Sequence, residues 1–207
     1  MTTLADRLRP SFGRPPSGAA AARSISLSYD VPLVIGASGV IALAAQIAVP
    51  LPFSPVPITG QTLALLLLAA ALGRARAVAA TVCYLAEGAA GLPVFAGGSG
   101  GAHVLIGATG GYLAGFVPAA WLVGLLAERG FDRHFGSTAL AMLVGNGIIL
   151  ILGAAWLARF IGPAHVIAAG VAPFLVGDIV KAAVAAALLP AAWRSIDRLG
   201  PGTHVRP

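Results

Sequence analysis

From residue 32 onward the chain reads as long apolar runs broken by short stretches rich in Pro, Gly and Arg. The runs fall near residues 32–49, 59–73, 76–91, 104–127, 138–160 and 166–193. None alternates apolar and polar positions at period two, so the strands of a membrane barrel are not indicated. Each run approaches the roughly 20 residues a helix needs to cross a bilayer, the second and third being short. A segment in lipid must satisfy its own backbone hydrogen bonds. The pattern therefore predicts an all-α integral membrane protein, a bundle of six transmembrane helices. The breaks "PLPFSPVPITG", "LGRARA", "GLPVFAGGSGGAH", "ERGFDRHFGS" and "RFIGPAH" carry turn chemistry. Residues 1–30 differ: they are rich in Arg, Ser, Pro and Ala and hold no continuous apolar stretch of signal-peptide length. They are expected to form a mobile cytoplasmic N-terminal tail, ahead of a membrane domain over 31–196 and a cytoplasmic C-terminal tail over 197–207.

Composition strengthens the membrane reading. Of the 207 residues 58% are hydrophobic and 10% charged, against about 25% charged in soluble domains. The sequence pI near 10.7 does not imply nucleic acid, because the arginines punctuate the apolar runs instead of clustering. With the N-terminus inside, Arg7, Arg9, Arg14, Arg23, Arg74, Arg76, Arg129, Arg133, Arg194, Arg198 and Arg206 all fall on the inner side. Only Arg159 falls outside, so the positive-inside rule predicts N-in and C-in. The single cysteine, Cys83, excludes an internal disulfide and a cysteine-based metal cluster. Histidines 103, 134, 165 and 204 show no metal-ligand spacing, and no metal site is expected. The only lysine, Lys181, is followed by Ala in an apolar run, so no Walker A loop is present and ATP hydrolysis through one is excluded. No nucleophile–base pair or HExxH occurs, which argues against an enzyme.

The candidate chemistry lies in "PFLVGDIVKAAVAAALLP", where Asp178 and Lys181 stand three apart and share a helix face. A charge at mid-bilayer costs about 2.5–3.5 kcal/mol on insertion scales. Three readings follow: a self-neutralising staple between helices, a proton or ion relay, and a ligand site in a cavity open to the outer side. The third agrees with the topology, which puts both Pro/Gly-rich loops and the start of the last helix outside. Glu87, near the outer end of the third run, either lines the same cavity or caps a helix junction. Gln61 and Tyr112 stand close to outer loops, where an amide or a phenol meets a ligand. In "FAGGSGGAH", Gly97, Gly98 and Ser99 let backbone approach a small ligand closely or fold over it.

The segments "PVPITGQTLALLLLAAALG", "YLAEGAAGLPVFAGGSGG", "TGGYLAGF", "LVGNGIILILGAAWL" and "PFLVGDIVKAAVAAALL" together resemble the biotin transporter BioY family. These are the substrate-capture (S) components of energy-coupling factor vitamin uptake systems. The resemblance runs from about residue 33 to 193 in the family's order; it departs at Gly60, where a larger residue, often leucine, is usual. It implies a multi-pass protein of the bacterial cytoplasmic membrane that captures biotin from outside and needs no cofactor. Its partners would be a transmembrane coupling subunit and two cytoplasmic ATP-binding subunits. The alternative is a stand-alone biotin carrier. By resemblance, Asp178 accepts from a ureido N–H, while Lys181 meets either the ureido carbonyl or the valerate carboxylate. Gly97, Gly98 and Ser99 close around the ligand. The small residues Ser38 and Ala42 on the first helix are expected to dock on the coupling subunit.

Overall fold

The computed structural model describes residues 3–8 and 19–198. A short helix α1 (Leu4–Arg7) precedes the long α2 (Ala19–Gln46). A hairpin of β1 (Ala48–Leu51) and β2 (Ser54–Thr59) leads into α3 (Gln61–Leu72) and α4 (Arg74–Ala89). After a loop containing a 3-10 turn at Ala96–Gly98 come α5 (Ala102–Ile106), α6 (Gly110–Glu128) and α7 (Phe135–Ile161). The last stretch is α8 (Pro163–Val166), a widened π-helical turn at Ile167–Val171 and α9 (Ala172–Arg198). Among the described residues four stretches are long and apolar enough to cross a membrane by length and composition: Ser28–Gln46, Gly110–Glu128, Phe135–Ile161 and Pro163–Arg198. Helix α3 is apolar but shorter.

Helix α6 is the centre of the packing, with α3, α4 and α7 against it. It buries Leu113, Phe116, Ala119, Ala120 and Val123. Apolar surface alone gives membrane helices little reason to associate, so close backbone approach through small residues matters more. A side chain at Gly124 would meet the backbone of Arg74 at 2.5 Å, which is why α6 can touch the α3–α4 turn. That turn is a single residue, Gly73, held at φ 81°.

Three expectations need correction. The break "PLPFSPVPITG" is not coil: Ala48 pairs with Thr59, Val49 with Ile58 and Leu51 with Ser54, antiparallel. The register slips between Val49 and Leu51, around Pro50, which has no N–H to give the ladder. The run near 104–127 is two helices, because Gly107–Thr109 breaks it and Trp156 Nε1 donates to the Gly107 carbonyl at 2.8 Å. Residues 19–30, expected in a tail, are helical and continue into the first span, and Leu4 and Ala5 of α1 are buried. Thr3 caps α1, accepting from Asp6 N while Asp6 Oδ2 accepts from Thr3 N at 3.2 Å. Helix α9 also runs through Asp197 to Arg198. What was expected of residues 1–2, 9–18 and 199–207 lies outside the described residues.

Candidate ligand-binding site

Asp178 and Lys181 project from one face of α9, with Lys181 Nζ 3.7 Å from Asp178 Oδ1. That is an ion pair but too long for a good hydrogen bond. The short bond goes elsewhere: Lys181 Nζ donates to Thr62 Oγ1 at 2.8 Å. An ammonium has three donors and a carboxylate four acceptor sites, so the pair retains capacity for a ligand. Thr62 is held there by its neighbours. Thr59 Oγ1 donates to Gln61 Oε1 at 2.9 Å, and Gly60 N donates to Ile47 O at 3.0 Å. A Cβ on Gly60 would lie 2.8 Å from Ala44 O, which gives the glycine departure noted in the sequence a steric basis. The first turn of α3 is thereby pressed against the end of α2.

These groups border a cavity of about 240 Å³ between the hairpin, the loop after α4 and helices α3, α6, α7 and α9. Its polar lining comprises Thr59, Gln61, Thr62, Ser99, Thr109, Asp178 and Lys181. Val56, Phe95, Leu113, Phe116, Ile149 and Phe174 supply most of the apolar wall. Tyr112 also lines it, but its hydroxyl is committed to Gly170 O at 2.7 Å, so the ring is what the cavity meets. Gln61 is similarly committed: its amide nitrogen donates to the Tyr84 hydroxyl and its oxygen accepts from Thr59.

The expected residues therefore divide. Asp178, Lys181, Gln61, Tyr112 and Ser99 come together at the cavity. Gly97 and Gly98 do not line it; at φ 63° and 76° they turn the chain between Ala96 and Ser99, which do. Glu87 is not in the lining either. Its carboxylate accepts from Ser38 Oγ at 2.8 and 2.9 Å and from Cys83 Sγ at 3.3 Å, a junction between α2 and α4. Ser38 is consequently 1% exposed, and Ala42 packs half-buried against the core. Bonded to Glu87, Ser38 offers no free hydroxyl to a partner, and the large apolar residues that α2 leaves exposed are Val31, Ile35, Val40 and Leu43. Among the described residues no group of three His, Cys, Asp or Glu side chains could hold a metal ion. Thr62 and Phe95 join the site without having been expected there; "GQT" holds the first, but nothing local in the sequence ties it to Lys181.

An apolar helical bundle with long apolar spans defines a membrane protein, and its cavity is lined by both polar and apolar side chains. The BioY family model matches residues 19–198. The chain is 40% identical over 150 residues to "Biotin transporter BioY" of Thermotoga maritima, covering 72% of this chain and 86% of that one. It is 40% identical over 161 residues to the protein of the same description from Rhodobacter capsulatus, covering 70% and 82%. Its fold matches the crystal structure of an S-component for biotin from an ECF-type ABC transporter with a TM-score of 0.73, at 23% identity over 82% of this chain and 93% of that one. The chain belongs to the BioY family, a family of transport proteins and not of enzymes.

Proposed function

We propose that this chain captures biotin from the outer side of the cytoplasmic membrane and passes it inward as the substrate-specific subunit of an energy-coupling factor transporter. In this reading α2, α3, α4, α6, α7 and the α8–α9 stretch are the six spans, with both termini inside. A coupling subunit and two ATP-binding subunits supply the energy. The observation that carries the reading is the Asp178–Lys181–Thr62 cluster in the wall of a mostly apolar cavity. Biotin's ureido ring brings two N–H donors and a carbonyl, its thiophane ring is apolar, and its tail ends in a carboxylate. Asp178 accepts from a ureido N–H, and Lys181 donates to the carbonyl or the carboxylate. Helix α3, at about 1.5 Å per residue, is only ~18 Å long. Its shortness fits a span whose outer part is replaced by the hairpin and a water-filled cavity, where irregular backbone is tolerated at membrane depth.

Calorimetry of biotin on the detergent-purified chain tests this, with wild type beside Asp178→Asn and Lys181→Met. Leaving a buried polar group unmatched costs about 1–3 kcal/mol, so each variant should bind roughly 5- to 150-fold more weakly. Unaltered binding in both would reduce the pair to a helix staple. Biotin uptake by this chain alone in liposomes without ATP would replace the coupled reading with a stand-alone carrier.

A further inference from the structure

Tyr84 lies outside the cavity lining, is 0% exposed, and touches the supports of both segments that flank the cavity. On one side, its hydroxyl accepts from Gln61 Nε2, whose oxygen is bonded to Thr59 at the end of β2. On the other side, its ring meets the edge of Phe95 at 5.4 Å between centroids and 82° between planes. Phe95 anchors the loop after α4. Its N–H donates to Ser99 O at 2.9 Å, its carbonyl accepts from Gly98 N at 3.1 Å, and its ring lies on Gly88. The hairpin and this loop both contribute to the lining, Val56 and Thr59 from the first and Phe95 and Ser99 from the second. Gly60 N donates to Ile47 O and Gly101 N to Gly88 O at 2.7 Å. Gln46 Nε2, at the end of α2 just before the hairpin, adds a longer tie of 3.4 Å to the Phe95 carbonyl, so Tyr84 supplies the shorter of the two links between the segments.

We propose that Tyr84 is a positioning residue that locks the hairpin and the 91–101 loop into one unit across the cavity, so that they open and close together around the ligand. The chain of contacts runs Thr59–Gln61–Tyr84–Phe95–Ser99 and passes through no ligand atom. Buried on every side, the phenol has one favourable seat. An edge-to-face ring pair is sensitive to orientation, so displacement of Phe95 is felt at the hydroxyl and through it at Gln61. The proposal rests on the binding reading for what the unit encloses, but the mechanical coupling exists whatever the ligand is.

The test uses Tyr84→Phe, which keeps the ring and removes the hydroxyl, and Gln61→Met, which removes the same hydrogen bond from the other side. Both are placed in a Cys83→Ser chain carrying spin labels at Phe53→Cys on the hairpin and Leu92→Cys on the loop, two exposed positions. The distance between labels is read with and without biotin. Without substitution at Tyr84 or Gln61, one narrow distribution is expected in each state. Tyr84→Phe should broaden it in the ligand-free chain and speed biotin release at least tenfold, and Gln61→Met should broaden it in the same way. Narrow distributions in both variants would overturn the coupling, as would broadening by Gln61→Met alone. If the unsubstituted labelled chain binds no biotin, the functional reading fails, and the ligand-free widths still decide the role of Tyr84.

Discussion

Thr62 holds Lys181 across 119 residues of sequence, and through one hydroxyl. Replacing it with valine keeps the shape and removes the acceptor, leaving the ammonium with the longer contact to Asp178. A hydrogen bond to a charged group contributes about 1.5 kcal/mol at the low end, so Thr62→Val should weaken biotin binding roughly tenfold. Thr62→Ser, which restores an oxygen at the same place, should bind within a few-fold of wild type; equal binding by all three chains would show that Lys181 does not depend on Thr62. The comparison also marks what a sequence discloses at this scale. Asp178 and Lys181 were legible because three-residue spacing on a helix is a local rule and charge in an apolar run is rare. Thr62 and Tyr84 were not, because their roles come from tertiary contacts and neither residue type is unusual where it stands. Glu87 was conspicuous for the same reason as Asp178, yet its partner Ser38 lies on another helix, and the pair makes a junction instead of a ligand contact.

Helices were legible from their apolar runs, and five of the six expected runs each map onto one continuous helical stretch, α3 being short, with ends shifted by a few residues to about a turn and, at the start of the first, by more. Where the reading fell short, proline or glycine had a tertiary cause. The hairpin escaped notice because Pro50, Pro55 and Pro57 read as coil, although strands at a sheet's free edges need no ladder N–H at every position. The π-helical turn precedes Pro173, which contributes no donor, and Tyr112 supplies a hydrogen bond to the Gly170 carbonyl there. Helix α4 shows how strictly an element's surface fixes its loop. A Cβ on Gly88 would stand 2.0 Å from Phe95 Cζ, while Tyr84 blocks the ring on another side. Gly88→Ala should therefore act as overpacking, costing about 1–3 kcal/mol in thermal unfolding and weakening biotin binding as the loop is pushed off. The double variant Gly88→Ala/Phe95→Leu should recover part of the loss. If the single variant is as stable and binds as well as wild type, the loop is not seated on Gly88.

Helices α3 and α6 each begin at the cavity and end at a second polar cluster on the far side of the bundle, about 28 Å away along α6. There α1 is tucked against the α3–α4 turn, with Tyr29 OH donating to Ala5 O at 3.0 Å. Arg76 bridges two acids, Nη1 to Asp6 Oδ1 at 2.7 Å and Nε to Asp30 Oδ1 at 2.8 Å. One guanidinium thus ties the N-terminal helix, α2 and α4 together at the end opposite the cavity. Burial pushes the Asp6 carboxyl up, but the hydrogen bonds from Arg76 and Thr3 outweigh it and hold the group below its usual 3.8. A carboxyl depressed on folding contributes stability that is fully present above its unfolded value and lost as pH falls through the folded one. Wild type should therefore melt higher than Asp6→Asn near neutral pH, and the two midpoints should converge as pH falls below about 3.8. High salt should narrow the gap, because the pair is partly exposed. Biotin affinity should be equal in both chains at neutral pH, since the cluster and the cavity share helices but no side chain. A midpoint difference that persists unchanged into acid would mean that Asp6 acts through the α1 cap alone and that its charge on Arg76 contributes nothing.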